Sequence, residues 1–138
     1  MATTCKPNRI HALIDKLANA LSARGKNVTL VTQNIDDLHV KPTSNRYKYF
    51  DIHGNVKFVR CDNLHLLSYA QFRTELKSGK SVKCPNCELF LRPHVLFFDE
   101  SYGPLYGNEV KDKKYPFVFV IGSSLSTGLC SRLTQQAT

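Results

Sequence analysis

The chain has 138 residues, which bounds it to one domain at most, with enough length for a real core. Hydrophobic residues make up 42% and charged residues 22%, an ordinary globular balance that sets aside disordered and fibrous classes. The net charge of +8 raises a nucleic-acid partner, but Lys and Arg are scattered and the densest group, Lys111, Lys113 and Lys114, reads as a solvated helix end.

The longest apolar run, 117–121, is far too short to span a bilayer, and the first residues lack a signal-peptide hydrophobic region. No membrane partner and an intracellular location are therefore expected, with nucleus, cytoplasm and mitochondrion undistinguished.

In chain order, Ile10, Leu13, Ile14, Leu17 and Leu21 recur at helical spacing, predicting a helix from Pro7 to Ala23 that Gly25 stops. Val28 to Thr32 is a β-branched apolar run and predicts a buried strand. Val56 and Phe58 alternate with Asn55, Lys57 and Arg60, which predicts a half-exposed strand. A helical stretch near 68–77, a turn at Gly79 and the knuckle Cys84-Pro85-Asn86-Cys87 follow. An α/β pattern returns with predicted strands at 95–98 and 117–121, a possible helix near 105–111, and a turn at Gly122 leading toward a further helix. The expected fold class is α/β: a partial Rossmann-type parallel sheet carrying a small cysteine-containing, zinc-module-like insert. The corresponding boundaries are 1–48 for the first part of the Rossmann-like domain, 49–93 for the insert and 94–138 for the return.

Open α/β sheets place their ligands just past the carboxyl ends of their strands. There the chain sets Gln33, Asn34 and Asp36, whose amide and carboxylate groups suit hydroxyls, a ribose or an amide. Strand-end capping and turn formation is the structural alternative for all three. His53, before Gly54, adds a group that takes up a proton near neutral pH, although an isolated strand histidine is most often satisfied by backbone. Gly122, Ser123 and Ser124 are small enough for backbone N–H groups to approach a phosphate or ribose, a weak signal alone. Cys84 and Cys87 have the spacing of half a tetrahedral zinc site.

Six segments occur together in one order: Pro7-Asn8 with His11, Thr32-Gln33-Asn34-Ile35-Asp36-Asp37-Leu38-His39, Ile52-His53-Gly54, Cys84 with Cys87, Leu91-Arg92-Pro93-His94-Val95 through Glu100, and Val120-Ile121-Gly122-Ser123-Ser124-Leu125. The set resembles the sirtuins, the NAD-dependent protein-lysine deacylases. The resemblance implies transfer of an acyl group from lysine to ADP-ribose with release of nicotinamide. It maps His53 onto the family's catalytic base, with Asn34 and Asp36 shaping the ribose and nicotinamide pocket, and it places Gln33, Ile35, Gly122, Ser123 and Ser124 along NAD. Leu96, Phe98 and Glu100 fall in the segment against which the acyl-lysine peptide is laid as an added strand. A core strand ending at the surface is the equal alternative for that segment.

The resemblance also implies a zinc site of four cysteines in two pairs. Cys61 begins the first pair, but Leu64 stands where its partner is expected, and leucine cannot ligate. His65 is adjacent, which opens a Cys61, His65, Cys84 and Cys87 set beside three ligands plus water or loss of the metal. Asp99 stands where most relatives carry glycine, and the family's Gly-Ala-Gly phosphate turn and late strands have no counterpart. A truncated, weak or inactive member is therefore expected, with a non-catalytic binding remnant as the competing class and a basic zinc-knuckle module for nucleic acid as a third.

Overall fold

The structure, a computed structural model, describes residues 5–39, 46–106, 110, 112–135 and 137. It divides into two compact units, Met1–Ser101 and Tyr102–Thr138.

The first unit opens with helix α1 (Arg9–Ala23). Pro7 lies before the helix rather than in its first turn, because Asn8 is the cap. Its Oδ1 accepts from Ile10 N at 2.9 Å and His11 N at 3.2 Å, and His11 Nδ1 accepts from Asn8 N in return. At the other end Gly25 takes a φ of +74°, the left-handed conformation that stops helices, as expected. The apolar stripe of α1 is not buried: Ile10, Leu13 and Leu17 are 57%, 52% and 47% exposed, and Ala18 is the buried residue of the helix. Tyr47 Oη ties the helix down by donating to Asp15 Oδ1 at 2.7 Å.

Strand β1 (Thr29–Thr32) pairs in parallel with β2 (Lys48–Asp51), Thr29 opposite Lys48 and Thr32 opposite Asp51. This is the parallel α/β sheet expected from the sequence. Strand β2 itself was not evident there, since Lys48-Tyr49-Phe50-Asp51 is short and flanked by charge. Strand β3 (Gly54–Arg60) follows at once and becomes the centre of a second, antiparallel sheet ordered β4–β3–β5, with β4 at Leu66–Ser68 and β5 at Arg92–Val95. A register irregularity between Gly54 and Val59 bends β3. The bend overturns the simple alternation expected for this strand: Asn55 is 1% exposed and Arg60 is also buried, while Val56 and Phe58 are half-buried.

After β4 a 3₁₀ turn (Tyr69–Phe72) runs into the short helix α2 (Arg73–Lys77), matching the predicted helical stretch, and Gly79 makes the expected turn at φ +75°. The core here is Val59, Cys61, Cys84 and Leu91, packed about by Leu67, Tyr69, Phe72, Leu76, Val82 and Cys87. It is the cysteine-bearing module anticipated from the sequence. The predicted strand at 95–98 is displaced. β5 ends at Val95, tolerating Pro93 because it is an edge strand, and Leu96 to Phe98 leave the ladder.

The second unit contains helix α3 (Gly128–Gln135), which buries Leu129 and Leu133. The predicted strand at 117–121 does not form. Its residues are exposed and lack a ladder partner among the described residues, and β propensity without a neighbouring strand does not hold a strand. The possible helix near 105–111 falls largely outside the described residues, which show a turn closing on Tyr106, whose N–H donates to Gly103 O.

Candidate functional site: a cleft at the end of the parallel sheet and a cysteine–histidine centre

The chain leaves β1 at Thr32 and turns at once, because Thr32 Oγ1 accepts from Asn34 N at 3.1 Å. Asp36 Oδ1 then accepts from Leu38 N at 3.1 Å, an Asx turn that throws Asp37 into the left-handed region at φ +58°. Ile35 O receives Val56 N at 2.9 Å, so the loop lies along the start of β3. Across from it, Leu96 N donates to His53 O at 2.9 Å and brings the end of β5 alongside.

These three segments line an open cleft of about 460 Å³. One wall is the loop Gln33, Asn34, Ile35 and Asp36, and His53 stands beside it. The opposite wall, 95–98, is apolar. His53, Gln33, Asn34, Ile35 and Asp36, expected at the cofactor, and Leu96 and Phe98, expected at the peptide, all line this cleft. Phe98 is fully exposed and stands at the rim.

His53 Nδ1 lies 3.1 Å from the backbone carbonyl of Gln33. With its proton on Nδ1 the ring donates to that carbonyl, and Nε2 becomes the basic nitrogen. Burial holds the imidazole below its ordinary pKa of 6.5, the Gln33 carbonyl opposing, so the neutral, proton-accepting form dominates at physiological pH.

The loop is braced by a group that the sequence reading missed. Asn55 Nδ2 donates to Asp37 Oδ1 at 2.5 Å and to Asp51 Oδ2 at 3.2 Å, while its Oδ1 accepts from Lys57 N at 2.9 Å. Lys57 completes the arrangement with an ion pair to Asp37. The signal available was the adjacent acidic pair Asp36-Asp37 in a turn, which needs donors from elsewhere.

Glu100, expected at the peptide segment, is not among the residues lining the cleft. Its Oε1 is held by Arg92 and lies 3.6 Å from Arg60, and its Oε2 accepts from Phe97 N at 3.0 Å. Arg92 also lies over the Phe97 ring at 4.7 Å. The Arg92 hydrogen bond holds the carboxyl of Glu100 below the usual range, so it is charged at neutral pH and fixes the turn at 97–100. Asp99, in the same turn, is exposed.

Gly122, Ser123 and Ser124 belong to the second unit. Gly122 is left-handed at φ +66° and Ser123 Oγ caps Leu125 N at 3.1 Å, but α3 begins only at Gly128, so this turn does not open directly onto the helix as expected.

The second centre lies in the cysteine module. The ligand atoms of Cys61, His65, Cys84 and Cys87 all fall within 4.8 Å of one another. Cys61 Sγ and Cys84 Sγ are each 3.5 Å from His65 Nδ1, and Cys61 Sγ is 3.5 Å from Cys87 Sγ. A tetrahedral Zn²⁺ with ordinary bond lengths separates sulfur from nitrogen by about 3.6 Å and sulfur from sulfur by about 3.8 Å. These three separations match that ion, and all four donors lie close enough to share one. Burial raises the Cys61 thiol, and hydrogen bonds from the backbone at His65 and from Cys87 and Cys84 outweigh it, leaving it at about 7. Cys5 and Cys130 stand apart as free cysteines.

With this geometry in place, the comparisons with known proteins are specific. The model of the Sir2 family matches residues 1–128. The chain is similar to the NAD-dependent protein deacylase SIR2rp3 of Leishmania major, 32% identical over 113 residues that cover 80% of this chain and 43% of the relative. It is similar to the NAD-dependent protein deacetylase of Thermotoga maritima, 33% identical over 99 residues, 70% of this chain and 37% of the relative. Among solved structures, a complex titled Sir2–p53 peptide–NAD⁺ superposes with a TM-score of 0.54 at 28% identity, covering 74% of this chain and 40% of the other. One titled Sir2 bound to acetylated peptide gives a TM-score of 0.56 at 28% identity, covering 74% of this chain and 41% of the other. The chain thus spans less than half the length of these relatives. The parallel sheet, the loop after β1 facing His53, and the cysteine-bearing module all lie inside the matched stretch, and the chain belongs to the Sir2 family.

Proposed function

We propose that this chain serves NAD-dependent deacylation of protein lysines, in which the acyl group passes to ADP-ribose and nicotinamide is released. The observation that carries the reading is His53, held by the Gln33 carbonyl at 3.1 Å and kept neutral by burial, in one cleft with Asn34, Asp36 and an apolar wall. The names of the relatives and the titles of the neighbouring structures support it.

Bound NAD would supply an activated anomeric carbon with nicotinamide as its leaving group. His53 Nε2 would accept a proton from a ribose hydroxyl, the tautomer being set by Nδ1–H on Gln33 O. Gln33, Asn34 and Asp36 would hold the sugar and the carboxamide, and Ile35 would press on the same face. By the family resemblance, Gly122, Ser123 and Ser124 would also serve the cofactor. Leu96 and Phe98 would line the way for the acyl-lysine stem, excluding water, while Glu100 acts indirectly by fixing their turn. The donors Cys61, His65, Cys84 and Cys87 would hold Zn²⁺ as a structural ion.

A second reading is a non-catalytic binding protein, favoured by the exposed stripe Ile10, Leu13 and Leu17. The experiment that separates the two is nicotinamide release from NAD by the purified chain with acetyl- and succinyl-lysine peptides, against His53→Ala. Peptide-dependent release lost in the variant supports deacylation. No release from folded protein leaves the binding role.

A further inference from the structure

The turn after the apolar wall of the cleft carries two carboxylates that are used differently. Glu100 is spent inside the protein: Arg92 holds its Oε1, Arg60 lies 3.6 Å from the same atom, and Oε2 accepts from Phe97 N. Arg60 also faces Asp62 at 3.9 Å. Two arginines thus stand against two carboxylates, and the group carries no net charge. Asp99 takes no part in it. Its side chain is exposed and its φ is negative, so the turn holds a carboxylate there without backbone strain.

The surroundings of Asp99 give that charge a use. Phe98, directly before it, is fully exposed at the rim of the cleft, and Val95, Leu96 and Phe97 continue the wall. None of the side chains lining the cleft is Lys or Arg, and Asp36 brings a second carboxylate to it. The chain as a whole carries +8, which repels a basic peptide at long range. Screening decides between the two effects. The Debye length is about 10 Å at 0.1 M salt, so the scattered lysines fade while a carboxylate beside the peptide does not.

We propose that Asp99 is a specificity-determining residue that selects acyl-lysine peptides carrying Lys or Arg one or two residues from the acylated side chain. The proposal rests on the deacylase reading, in which the peptide lies along 96–98. An extended peptide advances about 3.3 Å per residue, so a neighbour within two residues falls within about 7 Å of the acyl-lysine along the chain. Its cationic head meets the Asp99 carboxylate at the surface, while the acyl-lysine stem enters between the wall and His53. An acidic neighbour in the same place is repelled. Exposed charge pairs are weak, and the expected preference is about two- to fivefold in affinity over a neutral neighbour.

The test uses the full chain and one acetyl-lysine peptide made in three forms, with Arg, Gln or Glu on both sides of the modified lysine. Affinity is read by calorimetry in the presence of NAD. The expected order is Arg, then Gln, then Glu at 0.1 M salt, with the differences shrinking at 1 M, where the Debye length is about 3 Å. Asp99→Asn is expected to level the order and Asp99→Lys to invert it, an inversion that a merely structural role would not produce. Equal binding of the three peptides by the unmodified chain overturns the role of Asp99 and leaves the deacylase reading standing. So does an order that survives in Asp99→Asn. Binding of none of them, by protein that circular dichroism shows to be folded, overturns both, because the wall then takes no peptide.

Discussion

The side-chain amide of Asn55 donates to the Asp37 carboxylate at 2.5 Å from a position that is 1% exposed. That bond joins the loop after β1 to the strand that follows His53, and it is why two segments separated in the chain form one wall of a cleft. Asn55 satisfies two carboxylates at once, Asp37 and Asp51, so its removal leaves both short of a donor. Asn55→Ala is expected to destabilise the fold by about 1–3 kcal/mol, the cost of unsatisfied buried polar groups. Asn55→Asp, which sets a third carboxylate among them, is expected to cost more. Urea unfolding of the three proteins checks the order. An Asn55→Ala protein as stable as the parent would show that the loop needs no brace.

Replacing His53 should separate chemistry from folding. His53→Ala removes the imidazole that lines the cleft beside Asn34 and Asp36. Loss of a general base typically costs 10²- to 10⁴-fold in rate. The expected result is peptide-dependent nicotinamide release reduced by about that factor, with an unchanged circular dichroism spectrum. Because burial lowers the His53 pKa, activity should hold down to pH values somewhat below the ordinary 6.5 before falling. A profile that begins to fall above pH 7 would contradict the assignment.

Stability should decline on acidification for a related reason. His39, His53 and His94 are all lowered by burial, which in His39 is aided by His11 and in His94 by Arg60. Below the unfolded value of 6.5 the unfolded chain binds protons that the folded chain refuses, so stability rises with pH through that window and is lost as pH falls toward the folded values. For the buried His94 the slope is at most about 1.4 kcal/mol per pH unit. Denaturant midpoints between pH 7.5 and 5 measure it. A His94→Gln variant is expected to show a shallower decline, and an unchanged slope would remove His94 from the account.

The turn that presents Phe97 and Phe98 depends on Glu100. Its charged carboxylate gathers Arg92, Arg60 and the Phe97 N–H, and Glu100→Gln keeps the shape while removing the charge. About 1 kcal/mol of stability should go with it, since these are partly exposed charge-assisted contacts. Binding of an acyl-lysine peptide, followed by calorimetry, should weaken while NAD binding does not. Equal weakening of both would make Glu100 a general stabiliser and not a support of the peptide wall.

Removal of metal should unfold the module first. Cys61 and Cys84 are core residues as well as ligand donors, packed with Val59 and Leu91. A chelator is therefore expected to increase hydrogen exchange in β3 and β4 and around Leu91 before it does so in α1. Uniform exchange with and without chelator would mean that the hydrophobic contacts alone hold these strands.

Local chemistry made much of this protein legible in its sequence. Helical spacing placed α1 to within two residues, a β-branched run placed β1, and the resemblance of the polar run after it, with His53-Gly54, marked the residues that line the cleft. Those features are written in short stretches, where periodicity and turn chemistry act on neighbours. The residues that failed were those whose role depends on distant partners. Asn55 looked like an exposed strand position until a bend in β3 turned it inward to meet Asp37 and Asp51. For Glu100 the sequence does not show the partners Arg92 and Arg60, which the fold brings to its carboxylate. The run 117–121 has every local preference of a strand, and stays out of one because a strand is made by its neighbours. His65 stood in sequence as one option among three, and the fold sets its Nδ1 3.5 Å from Cys61 Sγ and Cys84 Sγ with Cys87 near by, a juxtaposition that spacing along the chain does not encode.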